Sequence, residues 1–380
     1  MSESMIGAYG TPFAGLVGEA PGRLSFRTGT WDDPEAWRAV ALERLLECLA
    51  APATGGCPQA TVEETLVWDG LHIERLSWQL PYGPPTQAVF LKPAAATGPL
   101  PGVLALHDHG GKKYFGKRKI SQVGEEVHPL MQEHRDGCYG GMAWANEVAK
   151  RGYAVLVPDA FPFASRRVLL ADVPAAIRQG LSDTDPEETE NAVVYNRWSA
   201  EHESLMAKSL FCAGTTWPGV FLAEDQRALD VLCARADVDA ARVGCGGLSG
   251  GGMRTVFLGG VDDRIRCAVT VGMMTTWRDY LLHKCFTHTW MIYVPLLPRD
   301  LDYPEILGLR LPKPTLVQNN NEDPLFTLPE MQRADTMLRE IYDRAGASGN
   351  YQCSFYPGLH KFDADMQQEA FAWFDRHLRA

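Results

Sequence analysis

Apolar residues between positions 33 and 49 recur at helical spacing (Trp37, Val40, Leu45, Leu46, Leu49), which predicts an amphipathic helix. Residues 51–56 follow with Pro52 and the pair Gly55-Gly56 and read as a linker. The period then changes. Strand-like stretches occupy 61–68, 72–79 and 87–91, and Asp69-Gly70 between the first two is a hairpin turn signal. From residue 102 alternation gives way to short unbroken apolar runs at 102–106, 153–158, 242–246, 265–271 and 315–318. Runs of this kind suit parallel strands buried on both faces. Helical patterns separate them at 142–150, 220–235, 250–259 and 328–345, and a strand at 352–356 and a helix at 365–378 close the chain. Strand alternating with helix predicts an α/β fold, a doubly wound and mostly parallel sheet whose N-terminal strands are antiparallel.

Three connections are too long to be simple loops: 112–141, 160–217 and 273–312. Each follows a strand, so each is expected to rise from the carboxyl edge of the sheet, where ligands bind in such folds. The second and third are dense in aromatics. Trp217, Trp277 and Trp290 are candidates to line an apolar substrate pocket.

Composition narrows the partners. With 380 residues, 46% of them hydrophobic, the chain can bury a large core. A net charge of −11 argues against nucleic acid as a partner, because phosphate binding needs a basic footprint. Nine cysteines without a C-x-x-C pair read as free thiols in a reducing compartment. Residues 1–20 lack a basic segment followed by an apolar run, and no apolar run is long enough for a membrane span. A cytoplasmic protein with no membrane partner is expected. Homo-oligomerisation is left open.

The chemistry centres on Gly247-Leu248-Ser249-Gly250-Gly251, a G-x-S-x-G pentapeptide. A serine on a sharp strand-to-helix turn is lifted out of the sheet, and glycines two residues either side avoid a clash. The pentapeptide alone is weak, since the chain holds 36 glycines. Its setting, directly after the run 242–246 and directly before a helical pattern, makes Ser249 the candidate nucleophile. His360 lies between the last strand and the last helix, where an imidazole could take the serine proton. The loop after the penultimate strand carries Glu322, Asp323 and Pro324. Asp323 is the expected orienting acid, Glu322 its competitor and Asp279 a distant third.

A second loop, His107-Asp108-His109-Gly110-Gly111, follows the first buried run. A backbone N–H from Gly110 or Gly111, with that of Gly250, would meet an oxyanion. The His-Asp-His triplet has no third ligand in view, so no metal and no other cofactor is expected, and its side chains are read as bracing the loop. Lys112, Lys113, Lys117, Arg118 and Lys119 read as a solvated basic loop, or as a lip attracting anions.

The segment 106–111, the turn at Ser249, the Glu322-Asp323-Pro324 loop and the loop 356–360 together resemble the dienelactone hydrolase and acetyl xylan esterase-like branch of the α/β-hydrolases. The order Ser, Asp, His is that of this superfamily. The resemblance covers roughly residues 60–380. It implies an α/β-hydrolase domain at 61–380 behind a helical extension at 1–60, and a serine esterase acting on a small carboxylic ester, including acetylated sugars. One departure stands out: dienelactone hydrolases proper carry cysteine where this chain has Ser249. Two other functions fit the same core. A peptidase of the prolyl oligopeptidase type would need a large propeller domain, for which the chain has no room. A non-catalytic binding protein would lack a triad member, and none is missing.

Overall fold

The computed structural model describes residues 4–17, 20–183 and 188–379. Parts of the N-terminal stretch 1–20, and residues 184–187 of the second long connection, therefore lie outside the described residues. Nine strands form one sheet: β1 (Thr61–Trp68), β2 (Leu71–Trp78), β3 (Thr86–Pro93), β4 (Leu100–Ala105), β5 (Ala154–Pro158), β6 (Val238–Leu248), β7 (Ile265–Val271), β8 (Thr315–Asn320) and β9 (Tyr351–Tyr356). Their spatial order is β1-β2-β3-β5-β4-β6-β7-β8-β9. Pairing is antiparallel from β1 to β5 and parallel from β5 through β9. This is the mixed sheet that the change of period predicts.

Among the described residues eleven α-helices accompany it: α1 (Gly10–Val17), α2 (Pro34–Leu49), α3 (Pro129–Tyr139), α4 (Trp144–Lys150), α5 (Thr189–Cys212), α6 (Trp217–Cys233), α7 (Gly250–Val261), the single turn α8 (Trp277–Asp279), α9 (Tyr303–Gly308), α10 (Leu328–Arg344) and α11 (Ala364–Leu378). None of the helices among the described residues is long and apolar enough to cross a membrane.

Side chains that alternate along the central strands feed two cores, one on each face. Leu104, Leu156, Val243 and Cys245 point to the layer holding α2, α6, α7 and α10. Val103, Ala105, Val155 and Val157 point to the layer holding α4 and α11. Leu24, Phe26 and α2 belong to the first layer. Asp33 caps α2 by accepting from the N–H groups of Glu35 and Ala36, and Pro34 occupies its first turn. The buried stripe of α2 is Trp37, Ala41, Leu45 and Leu49, at i,i+4 spacing. Val40 and Leu46, expected on that stripe, are exposed, because the layer beneath accepts only a narrow face. The indole of Trp37 donates to the Leu24 carbonyl at 2.7 Å.

The long connections are partly helical. The first contains α3, the second α5, and the third is a chain of short turns ending in α9. Helix α5, 24 residues long, is absent from the sequence-based reading. Its buried stripe includes Ser199 and Glu203 among Ala192, Tyr195 and Met206, so the apolar period is interrupted.

Candidate active site

Strand β6 ends at Leu248 and α7 begins at Gly250, leaving Ser249 as the pivot with φ 57° and ψ −118°. This is a strained conformation for a residue with a side chain. It is held by the Ser249 N–H on the Val271 carbonyl and by the Met253 N–H on the Ser249 carbonyl, both at 2.8 Å. A Cβ on Gly247 or on Gly251 would run into the Leu106 carbonyl, so both flanking glycines are required by the close approach of β4.

Asp323 and His360 come from the loops after β8 and β9. The loops are laced together by Asn321 N–H to Tyr356 O (2.8 Å) and Glu322 N–H to Gly358 O (3.2 Å). The buried Asp323 carboxylate accepts from the Leu325 N–H through Oδ1 (2.9 Å) and meets His360 Nδ1 through Oδ2 at 2.5 Å. Glu322 is exposed and Asp279 is engaged elsewhere, accepting from Thr275 and from the N–H and hydroxyl of Thr327. The imidazole rests against Gly272, where a Cβ would come within 2.9 Å of His360 Cε1 and 3.0 Å of Leu248 Cδ1. With Nδ1 engaged by Asp323, the ring nitrogen of His360 that remains is Nε2. That atom is buried and has no hydrogen bond among the described residues. The ring therefore sits beside the two strand ends that flank Ser249.

The loop after β4 delivers a different backbone donor from the expected ones. The Gly111 N–H is already bonded to His109 Nδ1 at 3.0 Å, and neither Gly110 nor Gly111 borders the cavity at Ser249. Both adopt positive φ and form the turn that carries the loop away. The loop residue beside the pivot is His109: a Cβ on Gly250 would stand 2.9 Å from His109 N, and His109 lines the cavity at Ser249. The backbones at Gly250 and His109 thus lie against each other.

Side chains of this loop brace it, as expected. Asp108 is buried with His134 Nε2 at 3.0 Å and the Tyr139 hydroxyl at 2.5 Å. Burial works against its charge, but His134 and Lys119 hold its carboxyl well below the usual range. His107, pushed down to about 3 by burial and by the nearby Arg254 and Lys119, stays neutral. Glu203 of α5 joins three segments: His109 Nε2 donates to it at 2.8 Å, Lys113 Nζ pairs with it at 2.5 Å and the Thr289 hydroxyl donates at 2.7 Å. Against burial, the His109 hydrogen bond and the Lys113 ammonium bring Glu203 down to about 2. The basic run is consequently no solvated lip. Lys113 and Lys119 are fully buried, and Lys117 pairs with Asp159 at 2.7 Å. Acidic partners scattered through distant segments draw them in.

A small cavity lies against Ser249, with about 390 Å³ of space when the open solvent at its mouth is included. Its apolar wall is Phe163, Phe221, Met253, Met273, Met291 and Ile292, and its polar wall includes His109, His288 and Thr289. The second and third long connections therefore do roof the cavity, but not through the tryptophans. Trp217 is buried at the start of α6 against Phe161 (5.6 Å), and Trp277 donates to the Leu301 carbonyl and packs edge-on to Tyr303. Trp290 is 42% exposed. Indoles this large are taken up by packing the connections onto the core. The third connection also grips the acid loop, with His288 Nε2 donating to the Leu325 carbonyl at 2.8 Å and Lys284 Nζ to the Pro324 carbonyl at 2.7 Å.

No protein-family model matches the chain. Among curated proteins it is similar to the Bacillus subtilis (strain 168) protein named "Putative hydrolase YtaP", 24% identical over 294 residues that cover 77% of this chain and 83% of that one. Among solved structures it is similar to a putative acetyl xylan esterase from Bacteroides fragilis (TM-score 0.68, 15% identity, 93% of this chain and 84% of that one). It is likewise similar to a glucuronoyl esterase from Solibacter usitatus (TM-score 0.60, 16% identity, 94% and 97%). At these identities the likeness establishes the fold. The chain has the α/β-hydrolase fold.

Proposed function

We propose that this chain is a serine esterase that hydrolyses small carboxylic esters, with short acyl groups on a sugar or other small alcohol as the preferred class. One observation carries the reading: Ser249 stands on its strained pivot between two strand ends, and against the same strand ends lies an imidazole whose Nδ1 is 2.5 Å from Asp323 and whose Nε2 has no hydrogen bond among the described residues. The esterase names of the structural neighbours support the reaction, and the small apolar wall supports a short acyl group.

Ser249 Oγ adds to the ester carbonyl as His360 Nε2 takes its proton, and Asp323 stabilises the imidazolium. The N–H groups of Gly250 and His109 receive the charge that develops on the carbonyl oxygen. The tetrahedral species collapses by breaking the C–O bond to the alcohol, which leaves with the proton held by His360. Water, deprotonated by the same imidazole, then attacks the acyl-enzyme, releases the carboxylic acid and restores Ser249.

The purified protein should hydrolyse aryl acetates and acetylated sugars, lose rate steadily from acetyl to octanoyl esters, and leave a peptide amide intact. Hydrolysis of the amide at rates matching the esters would favour a peptidase, and no turnover of any ester would overturn the reading.

The wall can be tested on its own. Ile292→Ala should raise kcat/KM on a butanoyl ester relative to the acetyl ester by about tenfold, the scale of one or two methylenes in an apolar pocket. Trp290→Ala, at an exposed position, should leave the ratio where it was. A ratio unchanged in folded Ile292→Ala places the acyl group elsewhere.

A further inference from the structure

Among the buried cations that the mechanism above leaves unused, Lys119 is the one bonded to the backbone of the loop after β4. Lys119 ends the short turn Lys117–Lys119, and none of its surface is exposed. Its ammonium donates to the carbonyls of Asp108 at 2.8 Å and His109 at 2.7 Å, lies 3.9 Å from the Asp108 carboxylate and sits 4.7 Å from the centre of the Phe163 ring. The Asp108 carbonyl is thus bound on one side by Lys119, and it also accepts from His107 Nδ1 at 3.0 Å. That carbonyl and the His109 N–H belong to one planar, trans peptide, so they point in opposite directions. Whatever fixes the carbonyl aims the N–H. The nitrogen so oriented is the one that would stand 2.9 Å from a Cβ on Gly250.

We propose that Lys119 is a positioning residue for ester hydrolysis, anchoring the Asp108–His109 peptide by its carbonyl so that the His109 N–H meets the oxyanion, and polarising that peptide with a buried positive charge. The proposal rests on the serine esterase reading. Two physical effects act together. Anchoring removes the need to reorient the peptide as charge develops, and a cation on the carbonyl end makes the N–H end a stronger donor. The low-polarity surroundings keep the charge from being screened. Glu203 and Gly111 complete the brace, since both ring nitrogens of His109 are occupied by them. They hold the His109 side chain, whereas Lys119 alone holds the peptide with a charge.

The charge state gives a readout that a packing role would not. Burial lowers the Lys119 ammonium to about 8, with the Asp108 carboxylate opposing the drop. Other groups facing it are Lys112 and Lys113 of the same loop, which disfavour its charge, and Cys138 of α3. His134 and Tyr139 act on it through Asp108. The ammonium is present below about pH 8 and is lost as the pH rises through that value. Ester hydrolysis should therefore show an alkaline fall near pH 8.

The test compares the full-length protein with Lys119→Met and Lys119→Arg. Each is assayed from pH 6 to 10 for hydrolysis of an aryl acetate and for fluorophosphonate labelling of Ser249, with thermal unfolding as a check of the fold. Lys119→Met should lower kcat by about 10- to 100-fold, the scale of weakening one oxyanion donor, with KM changed less than about threefold. It should also lose the fall near pH 8. Lys119→Arg should recover part of kcat and move the fall to higher pH, because guanidinium keeps its charge. A folded Lys119→Met with the kcat of the unaltered protein would overturn the proposal. If that variant does not fold, Lys119→Arg decides: a fall that stays near pH 8 overturns it, and a displaced one supports it. If the unaltered protein neither hydrolyses the ester nor labels at Ser249, the esterase reading fails, and the proposal fails with it.

Discussion

Ser249→Ala is expected to leave a folded protein whose ester hydrolysis falls by roughly five to six orders of magnitude, the loss seen when the nucleophile of a serine triad is removed. The fold should tolerate the change because alanine keeps the Cβ that already occupies the strained φ of 57°, and the two backbone bonds that hold the pivot involve no side-chain atom. Thermal stability should stay within about 1 kcal/mol, as for most substitutions that leave packing intact. What activity remains would come from binding and from the backbone donors of Gly250 and His109. Hydrolysis of an aryl acetate and covalent labelling by a fluorophosphonate are the two measurements. Both should vanish together. A labelled alanine variant would assign the nucleophile to another residue.

Asp323→Asn should be nearly as severe, lowering kcat by about 10⁴-fold, for a reason that lies in the proton positions. The Asp323 carboxylate accepts from His360 Nδ1 at 2.5 Å, which leaves Nε2 free to take a proton from the serine. An asparagine can turn its amide N–H toward Nδ1, forcing the proton onto Nε2, where the imidazole can no longer act as a base. Geometry would survive while chemistry stops. Glu322→Gln, one residue away, should change kcat by less than about twofold, since that side chain is exposed and only its backbone N–H is used. The comparison needs steady-state rates on one ester at one pH. Equal losses in the two variants would mean that the loop acts through its overall charge and not through the bond to His360.

Sequence reading reached the sheet and the three candidate catalytic side chains for a common reason. Strands buried on both faces announce themselves as unbroken apolar runs, and loops that follow such runs must surface at one edge of the sheet. Gly247 and Gly251 marked the pivot because the approach of Leu106 admits no side chain there. Features set by distant contacts were harder to read. The backbone of His109 leaves no mark in the sequence, since any residue supplies an N–H, and the Asp108 carbonyl of the same peptide is held by Lys119, a residue distant in the chain. Lys113 and Lys119 look like surface residues until Glu203 and Asp108 are brought to them. Helix α5 hid for the same reason: Glu203 lies in its buried stripe because it pairs with Lys113 and His109. The tryptophans misled because size predicts burial but not which cavity is lined.

The grip of the third long connection on the acid loop has a consequence for altering specificity. His288 and Lys284 hold the carbonyls of Leu325 and Pro324, and Thr327 is tied to Asp279, all within a few residues of Asp323. The segment that lines the cavity through Met291 and Ile292 is thus also the buttress of the carboxylate bonded to His360. Grafting a foreign roof of different length would detune the triad along with the pocket, so a library that swaps 273–312 wholesale should yield mostly inactive proteins. Point changes at Met291 or Ile292, which leave the bonds from His288 and Lys284 in place, offer the route by which selectivity and turnover can be varied independently.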